Sequence, residues 1–480
     1  MNEKFFHSVY LDRDLCKGCI NCIKRCPTEA IRVHDGKAHI TGEFCIDCGE
    51  CVRICTHHAK KIRIDKLDIL KNYQYTVALP APSLCAQFNN LYDINILLTA
   101  FIYLGFDDVY EVGAAAELVS EASRDYVQKH QEQWPLISTA CPTIVRMIRV
   151  RFPNLISHML PLNPPIEVAA TLARKTAMKK TGLPADQIGI IFISPCPSKA
   201  TYVKAPLGKD HSEVDGVLAA KDVYPLLLPH MKEAEKAPMP LSKAGKIGIS
   251  WGNSGGEAGG MYTSSYLAAD GIDNCIKVLE DLEDEKIEGL QFIELDACSG
   301  GCVGGVLNVE NPYVARAKLQ NINKYLPVSV SRIEDTEEDG ELFWNSVVEY
   351  EPVFRIGTDM MDSIRKMRRI DELLEEFPGL DCGSCGAPTC RALAEDIVRG
   401  QAEKTDCVHI LRDHIHQLSQ NYKLHAREDI LGIEDPNTGI NVLLHYVDTL
   451  TKEIARLDPK NNAHMRASEQ KEEAADNDRK

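Results

Sequence analysis

Eight cysteines at regular intervals constrain this chain more than any other feature of it. Cys16, Cys19, Cys22 and Cys26 are followed by Pro27, and Cys45, Cys48, Cys51 and Cys55 repeat the spacing 29 residues later. Three thiols spaced three apart wrap one loop around three corners of a metal centre, while the fourth, after a longer gap, points away from it. The chain holds eighteen cysteines in 480 residues. In a secreted protein they would suggest disulfides, but Met1–Tyr10 has no apolar core of signal-peptide length. No run of about 18 apolar residues offers a membrane span either. The expectation is a cytoplasmic protein with no membrane segment, in which clustered thiols are metal ligands. Zinc sites of four cysteines typically separate their ligand pairs by longer loops.

The doubled run resembles the bacterial two-cluster ferredoxins, C-x2-C-x2-C-x3-C-P. That resemblance implies two [4Fe-4S] clusters with one ligand exchanged between the repeats. Cys16, Cys19, Cys22 and Cys55 hold one; Cys45, Cys48, Cys51 and Cys26 hold the other. Flanking strands read at Ala30–Val33 and Lys61–Ile64. Thr56 stands where the second repeat usually has proline, a departure that touches no ligand. The module is expected over residues 1–71.

Beyond it the pattern becomes α/β, supported by an ordinary apolar fraction of 44%. Strand-like runs at Thr76–Pro80, Val109–Val112, Leu136–Thr139, Ile188–Ser194, Lys246–Ser250 and Gln291–Leu295 alternate with helix-like stretches at Ile94–Leu104 and Ala115–His130. Such alternation predicts a mostly parallel sheet whose sites lie beyond the carboxyl ends of strands. Cys141, Cys196 and Cys298 each follow one of these runs. The net charge of −16 argues against nucleic acid, which is held mainly by Lys and Arg.

Three motifs carry those cysteines: Thr139-Ala140-Cys141-Pro142, Ser194-Pro195-Cys196-Pro197-Ser198-Lys199 and Asp296-Ala297-Cys298-Ser299-Gly300-Gly301-Cys302. Together, and in this order, they resemble the three signatures of the [FeFe]-hydrogenase catalytic domain, over residues 72–350. The resemblance implies that Cys141, Cys196, Cys298 and Cys302 hold the [4Fe-4S] part of an H-cluster. Cys302 would also bridge to a two-iron subsite carrying CO, cyanide and azadithiolate. Lys199 would donate to a cyanide, a role suited to a compact ammonium. Gly300, Gly301, Gly304 and Gly305 would let backbone crowd the cluster.

Departures refine the reading. Active members usually have a proton-relaying cysteine where this chain has Ala140, and alanine carries no titratable proton. Ser194 and Asp296 replace methionines, and both are expected to bring polar groups toward the two-iron subsite. These changes match the family's sensory branch, so the expected activity is slow oxidation and production of H2. Losing a general acid or base typically costs about 100- to 10,000-fold. Asp296 is the best replacement proton carrier; Cys85 is a weaker one. Glu117, Glu121 and Asp125, at i, i+4, i+8, read as a solvated stripe. Cys275 reads as a core residue.

A last motif contains Cys382, Cys385, Cys390 and Cys407 among Gly383, Gly386 and Pro388. It resembles the small four-cysteine [4Fe-4S] domain of corrinoid iron–sulfur proteins and implies a third accessory cluster, within a domain of residues 351–430. A zinc knuckle is the alternative. Helix-like segments read at Met360–Leu374, Ala392–Gly400 and His409–Leu457, and residues 431–480 as a helical segment and a disordered charged tail. Sixteen of the eighteen cysteines are then ligands. The leading reading is a hydrogen or redox sensor handling H2 and protons and passing electrons or a signal to a separate protein. Two alternatives stand beside it: a bidirectional ferredoxin-linked hydrogenase, and a non-catalytic Narf-like protein with no two-iron subsite.

Overall fold

A computed structural model describes residues 6–332, 342–353 and 355–430, together with 445, 447–449 and 451–452. The segment expected over 431–480 lies outside the described residues apart from those few helical positions. The chain divides into two compact units, Met1–Arg355 and Ile356–Lys480.

The first unit begins with four short strands: β1 (Val9–Leu11), β2 (Ile31–His34), β3 (Lys37–Ile40) and β4 (Lys60–Ile62). β1 pairs antiparallel with β4, and β2 with β3. Between them run the two cysteine loops, each followed by one turn or so of helix, Asn21–Lys24 and Glu50–Ile54. The apolar core here is small. Cys16, Cys22, Ile23, Ile31, Ala38 and Ala59 are its buried members. Gly18 shows why the loop needs glycine: its φ is +67°, and a Cβ there would lie 2.4 Å from the Gly36 carbonyl oxygen.

The larger part of the unit contains two parallel sheets. One is ordered β6 (Asp108–Val109), β5 (Tyr75–Pro80), β8 (Ile188–Ser194), β9 (Gly216–Ala219). The other is ordered β10 (Tyr266–Asp270), β11 (Phe292–Asp296), β7 (Leu136–Ile137). β8, Ile-Gly-Ile-Ile-Phe-Ile-Ser, is buried at every position, as a central parallel strand covered on both faces must be. Helices cover the sheets. Ile94–Leu104 is capped by Asp93, whose carboxylate accepts from the Asn95 N–H at 2.9 Å, and ends at Gly105 with φ +114°.

Three expectations fail here for identifiable reasons. Lys246–Ser250 is a short helix, not a strand. A five-residue apolar run cannot declare its period. What decides it is Glu117, expected on a solvated stripe but only 2% exposed. Its carboxylate accepts from the N–H groups of Gly245 (2.7 Å), Val330 and Ser331 (2.8 Å each) and from the Ser329 hydroxyl (3.0 Å). One buried carboxylate thus fastens the start of that helix to the segment 329–331. Glu121 is half-buried and Asp125 exposed. Similarly, Val109–Val112 divides: Asp108–Val109 is strand and Val112 opens the helix Val112–Lys129.

The second unit has its own core of Ile370, Leu373, Phe377, Ala387, Ala392, Leu393, Ala394 and Cys407. Its helices are Met360–Glu376, Cys390–Val398 and Val408–Ile430. Among the described residues no helix is long and apolar enough to cross a membrane.

Candidate metal centre and its surroundings

Three strand ends deliver the four central sulfurs. β7 runs through Ser138-Thr139-Ala140 into Cys141, β8 ends two residues before Cys196, and β11 ends two residues before Cys298, with Cys302 one turn further. The first and third belong to one sheet and the second to the other, so the site forms between the carboxyl ends of two sheets. Cys141, Cys196, Cys298 and Cys302 line one cavity together with Ala140, Lys199 and Asp296. Its empty space, solvent-open part included, is about 970 Å³. Cys48 of the N-terminal module lines the same cavity.

Glycine closes the gap between motifs. Gly305 lies so near the second motif that a Cβ would sit 2.2 Å from the Pro195 carbonyl oxygen, and Gly301, at φ +86°, would set one 2.3 Å from the Ser254 nitrogen. Burial pushes all four thiols up: Cys141 above the usual range, Cys196 to about 11, Cys298 and Cys302 well above it. Four such sulfurs facing one cavity are a donor set that fits an iron–sulfur cube, since metal ligation supplies the charge compensation that burial withholds.

Lys199, on the helix Pro197–Lys204, is 9% exposed, and its ammonium donates to the Ala140 carbonyl at 2.7 Å. The helix is anchored on its other side. The Ser8 hydroxyl donates to the Pro197 carbonyl (2.9 Å) and the Thr201 hydroxyl pairs with Ser8 Oγ (2.8 Å). Arg53 donates to the Gly304 carbonyl at 2.7 Å. The ferredoxin-like module is therefore tied directly to the loops that carry the central cysteines.

Ser194 does not reach the cavity. Its hydroxyl donates to the Cys196 carbonyl at 2.8 Å and accepts from the Cys196 N–H at 3.2 Å, so it braces the cysteine turn. Cys85 is packed with Leu84, Ala86 and Phe88, away from the lining, and burial drives its thiol far up. Cys275 is wholly buried, its thiol donating to the Asp296 carbonyl at 3.2 Å.

The cavity also holds two acids that motif reading misses. Ser138 Oγ donates to Glu257 Oε2 at 2.6 Å. Glu257, on the short helix Gly256–Gly259, is pushed by burial up to about 8. Glu294 is raised to about 7 by burial and by the Glu257 charge. It accepts from the Gly255 (2.8 Å) and Ala258 (2.7 Å) N–H groups and shares a hydrogen bond with Asp296. Burial holds Asp296 well above the carboxylate range. A signal was present: Glu294 and Asp296 alternate within the apolar strand Phe-Ile-Glu-Leu-Asp, which puts both carboxyls on one face.

In the N-terminal module the thiols lie close enough to raise one another, and Cys51 is raised by burial and by Cys26 and Cys22 alike. The thiol of Cys22 feels Cys19, Cys55 and Cys16; that of Cys48 feels Cys26, Cys51 and Cys45. In the second unit Cys385 feels Cys407 and Cys382. Cys390 opens a helix whose N-cap, Thr389, accepts from the Ala392 N–H at 3.0 Å. The Cys390 N–H donates to Asp381 at 2.6 Å.

Residues 74–266 and 257–306 match the family described as iron-only hydrogenase large subunit, C-terminal domain; 8–56 match a 4Fe-4S dicluster domain and 377–409 an Fe-S cluster family. Iron hydrogenase 1 of Clostridium pasteurianum is 23% identical over 376 residues, covering 62% of this chain and 64% of that protein. The cytosolic Fe-S cluster assembly factor NAR1 of Scheffersomyces stipitis is 24% identical over 260 residues, covering 46% of this chain and 47% of its own. Among solved structures, the [FeFe]-hydrogenase HydA1 of Chlamydomonas reinhardtii matches with a TM-score of 0.45 and 13% identity, over 60% of this chain and 97% of that one. The chain spans 64% of the length of the first curated relatives it matches.

Proposed function

The chain is an [FeFe]-hydrogenase-like iron–sulfur protein, and from that premise we propose that it handles H2 slowly at an H-cluster and reports its state to a separate protein. The carrying observation is the convergence of Cys141, Cys196, Cys298 and Cys302 on one cavity with buried acids at its edge and no titratable side chain at Ala140. Cys141, Cys196, Cys298 and Cys302 would hold an H-cluster there, which would supply the metal and amine chemistry for splitting H2. The protein's own residues do the rest. Lys199 presents a cation beside the cysteines. Ala140 offers no proton, so the Ser138–Glu257 pair and the Glu294–Asp296 pair are the groups that take and give protons at the cavity. A carboxyl near neutrality is suited to both directions of transfer. Slow turnover follows from a route that begins on these acids instead of on residue 140. Cys48 lines the same cavity, and a cluster held by it would supply a way out for electrons. The cysteines of the second unit, Cys382, Cys385, Cys390 and Cys407, hold a third accessory [4Fe-4S] cluster in this reading. The partner is an electron-transfer or signalling protein, and the setting is cytoplasmic.

One observation favours the non-catalytic reading. Lys199 already donates to the Ala140 carbonyl, so its presence does not by itself require a cyanide ligand. Infrared spectroscopy of fully loaded protein separates the two. Bands of CO and cyanide on iron are expected; ordinary cubanes alone would leave a Narf-like protein. An H2 assay comparing the wild type with Ala140→Cys then tests the missing relay: a gain is expected, and no change would remove that explanation of slow turnover.

A further inference from the structure

The 29-residue offset between the two cysteine runs makes one exchange visible. In the first repeat Ile31 stands five residues after Cys26; in the second Lys60 stands five residues after Cys55. The alanines just before them behave alike. The Ala30 N–H donates to Cys26 Sγ at 3.2 Å and the Ala59 N–H to Cys55 Sγ at 3.3 Å. Each following residue opens a strand, β2 and β4. Ile31 is 2% exposed and Lys60 3%. An ammonium thus occupies the slot that hydrocarbon fills in the other half.

That ammonium is buried and has no hydrogen-bond partner among the described residues. Lys37 shows the contrast: it donates to the carbonyls of Arg13 and Cys16 at 2.8 Å each. An unpaired buried charge costs several kcal/mol unless something answers it. The charge of Lys60 reaches sulfurs of both ligand sets, Cys16 and Cys22 of one and Cys51 of the other. Two cubes bound by thiolate and sulfide are anions, and each becomes more negative on reduction.

We propose that Lys60 is the electrostatic partner shared by the two accessory clusters, its buried ammonium donating to cluster sulfur and favouring the reduced form of both. No bond is made or broken: each cluster gains or loses one electron, and the fixed cation weights the more negative state. The proposal rests on the two-cluster reading of the module.

The test is an EPR-monitored redox titration of the full-length, iron-loaded protein, comparing wild type, Lys60→Ile and Lys60→Gln. Iron and sulfide are counted first, and the signals of two interacting reduced cubanes recorded. Lys60→Ile copies the other repeat and is expected to keep its iron. At fixed poise the reduced-to-oxidised ratio of both clusters should fall about tenfold, a one-electron shift of about 59 mV. Midpoints unmoved in both variants, with both cluster signals intact, would overturn the role of Lys60 while leaving the clusters standing. Absence of two cubane signals in the wild type would overturn the two-cluster reading and this proposal with it. If the variants fail to load, wild type labelled with 15N-lysine decides. Pulsed EPR of the reduced protein should find a weak lysine-nitrogen coupling to a cluster, and its absence sinks the proposal.

Discussion

The N-terminal module and the central cavity both gather cysteines, yet they do so in opposite ways. In the module eight thiols lie within forty residues of chain, in loops and short helical turns between strands of three or four residues, around a core of six buried apolar residues. In the central domain four thiols come from positions 141 to 302, delivered by the ends of three strands packed in a large apolar core, with Cys302 a turn beyond Cys298. The difference teaches where the folding energy resides. A small core cannot offset chain entropy alone, so metal binding becomes part of the module's folding free energy. The parallel sheets are stabilised by hydrophobic burial and hold their sulfurs in place beforehand.

Iron removal should break the symmetry between the two most severely. Under anaerobic chelation the amides of β2 and β4 should lose hydrogen-exchange protection by on the order of 1,000-fold or more, while those of β8 keep theirs. Equal loss in both regions would erase the contrast. Next in size is the proton handling proposed for the cavity. Glu257→Gln should lower H2 turnover by about 100-fold or more at unchanged iron content. An unaffected rate would exclude the Ser138–Glu257 pair from the route.

Single-thiol changes sharpen the comparison further. Cys302→Ala should lose the central iron and change the unfolding free energy of the central sheets by no more than about 1–2 kcal/mol. Cys22→Ala should instead abolish protection of β2. The smallest effect is on pH. Glu257 titrates about 8 in the fold against an ordinary 4.5, so between these values the native state holds more protons than the unfolded chain. Stability of the central domain should therefore fall as pH rises through that window and level off above it. Thermal midpoints of Glu257→Gln should show a flatter slope there, and an unchanged slope would place the titration elsewhere.

Much of this was legible in the chain because period and spacing are local. The doubled run of cysteines, the helix Ile94–Leu104 and the buried strand Ile188–Ser194 follow from neighbours a few residues apart. What was hidden depends on partners far along the chain. Glu117 looks like surface until the N–H groups of residues 245, 330 and 331 and the Ser329 hydroxyl meet it, and the bond from Gly245 holds the start of the helix Lys246–Ser250. Ser194 looks like a cavity residue, but its hydroxyl turns back to its own loop. That the strands form two sheets, not one, likewise rests on pairings such as Leu136 with Phe292, which span more than 150 residues.

The ties from Ser8 to the Lys199 helix and from Arg53 to Gly304 have a practical corollary for anyone wishing to rewire this protein. The front end is no interchangeable plug: a donor module grafted from elsewhere must reproduce a hydroxyl at position 8 and a guanidinium at position 53, or the loops presenting Cys196 and Cys302 lose a brace. Sequence shuffling that respects only the cysteine spacing would pass iron analysis and still leave a misaligned socket.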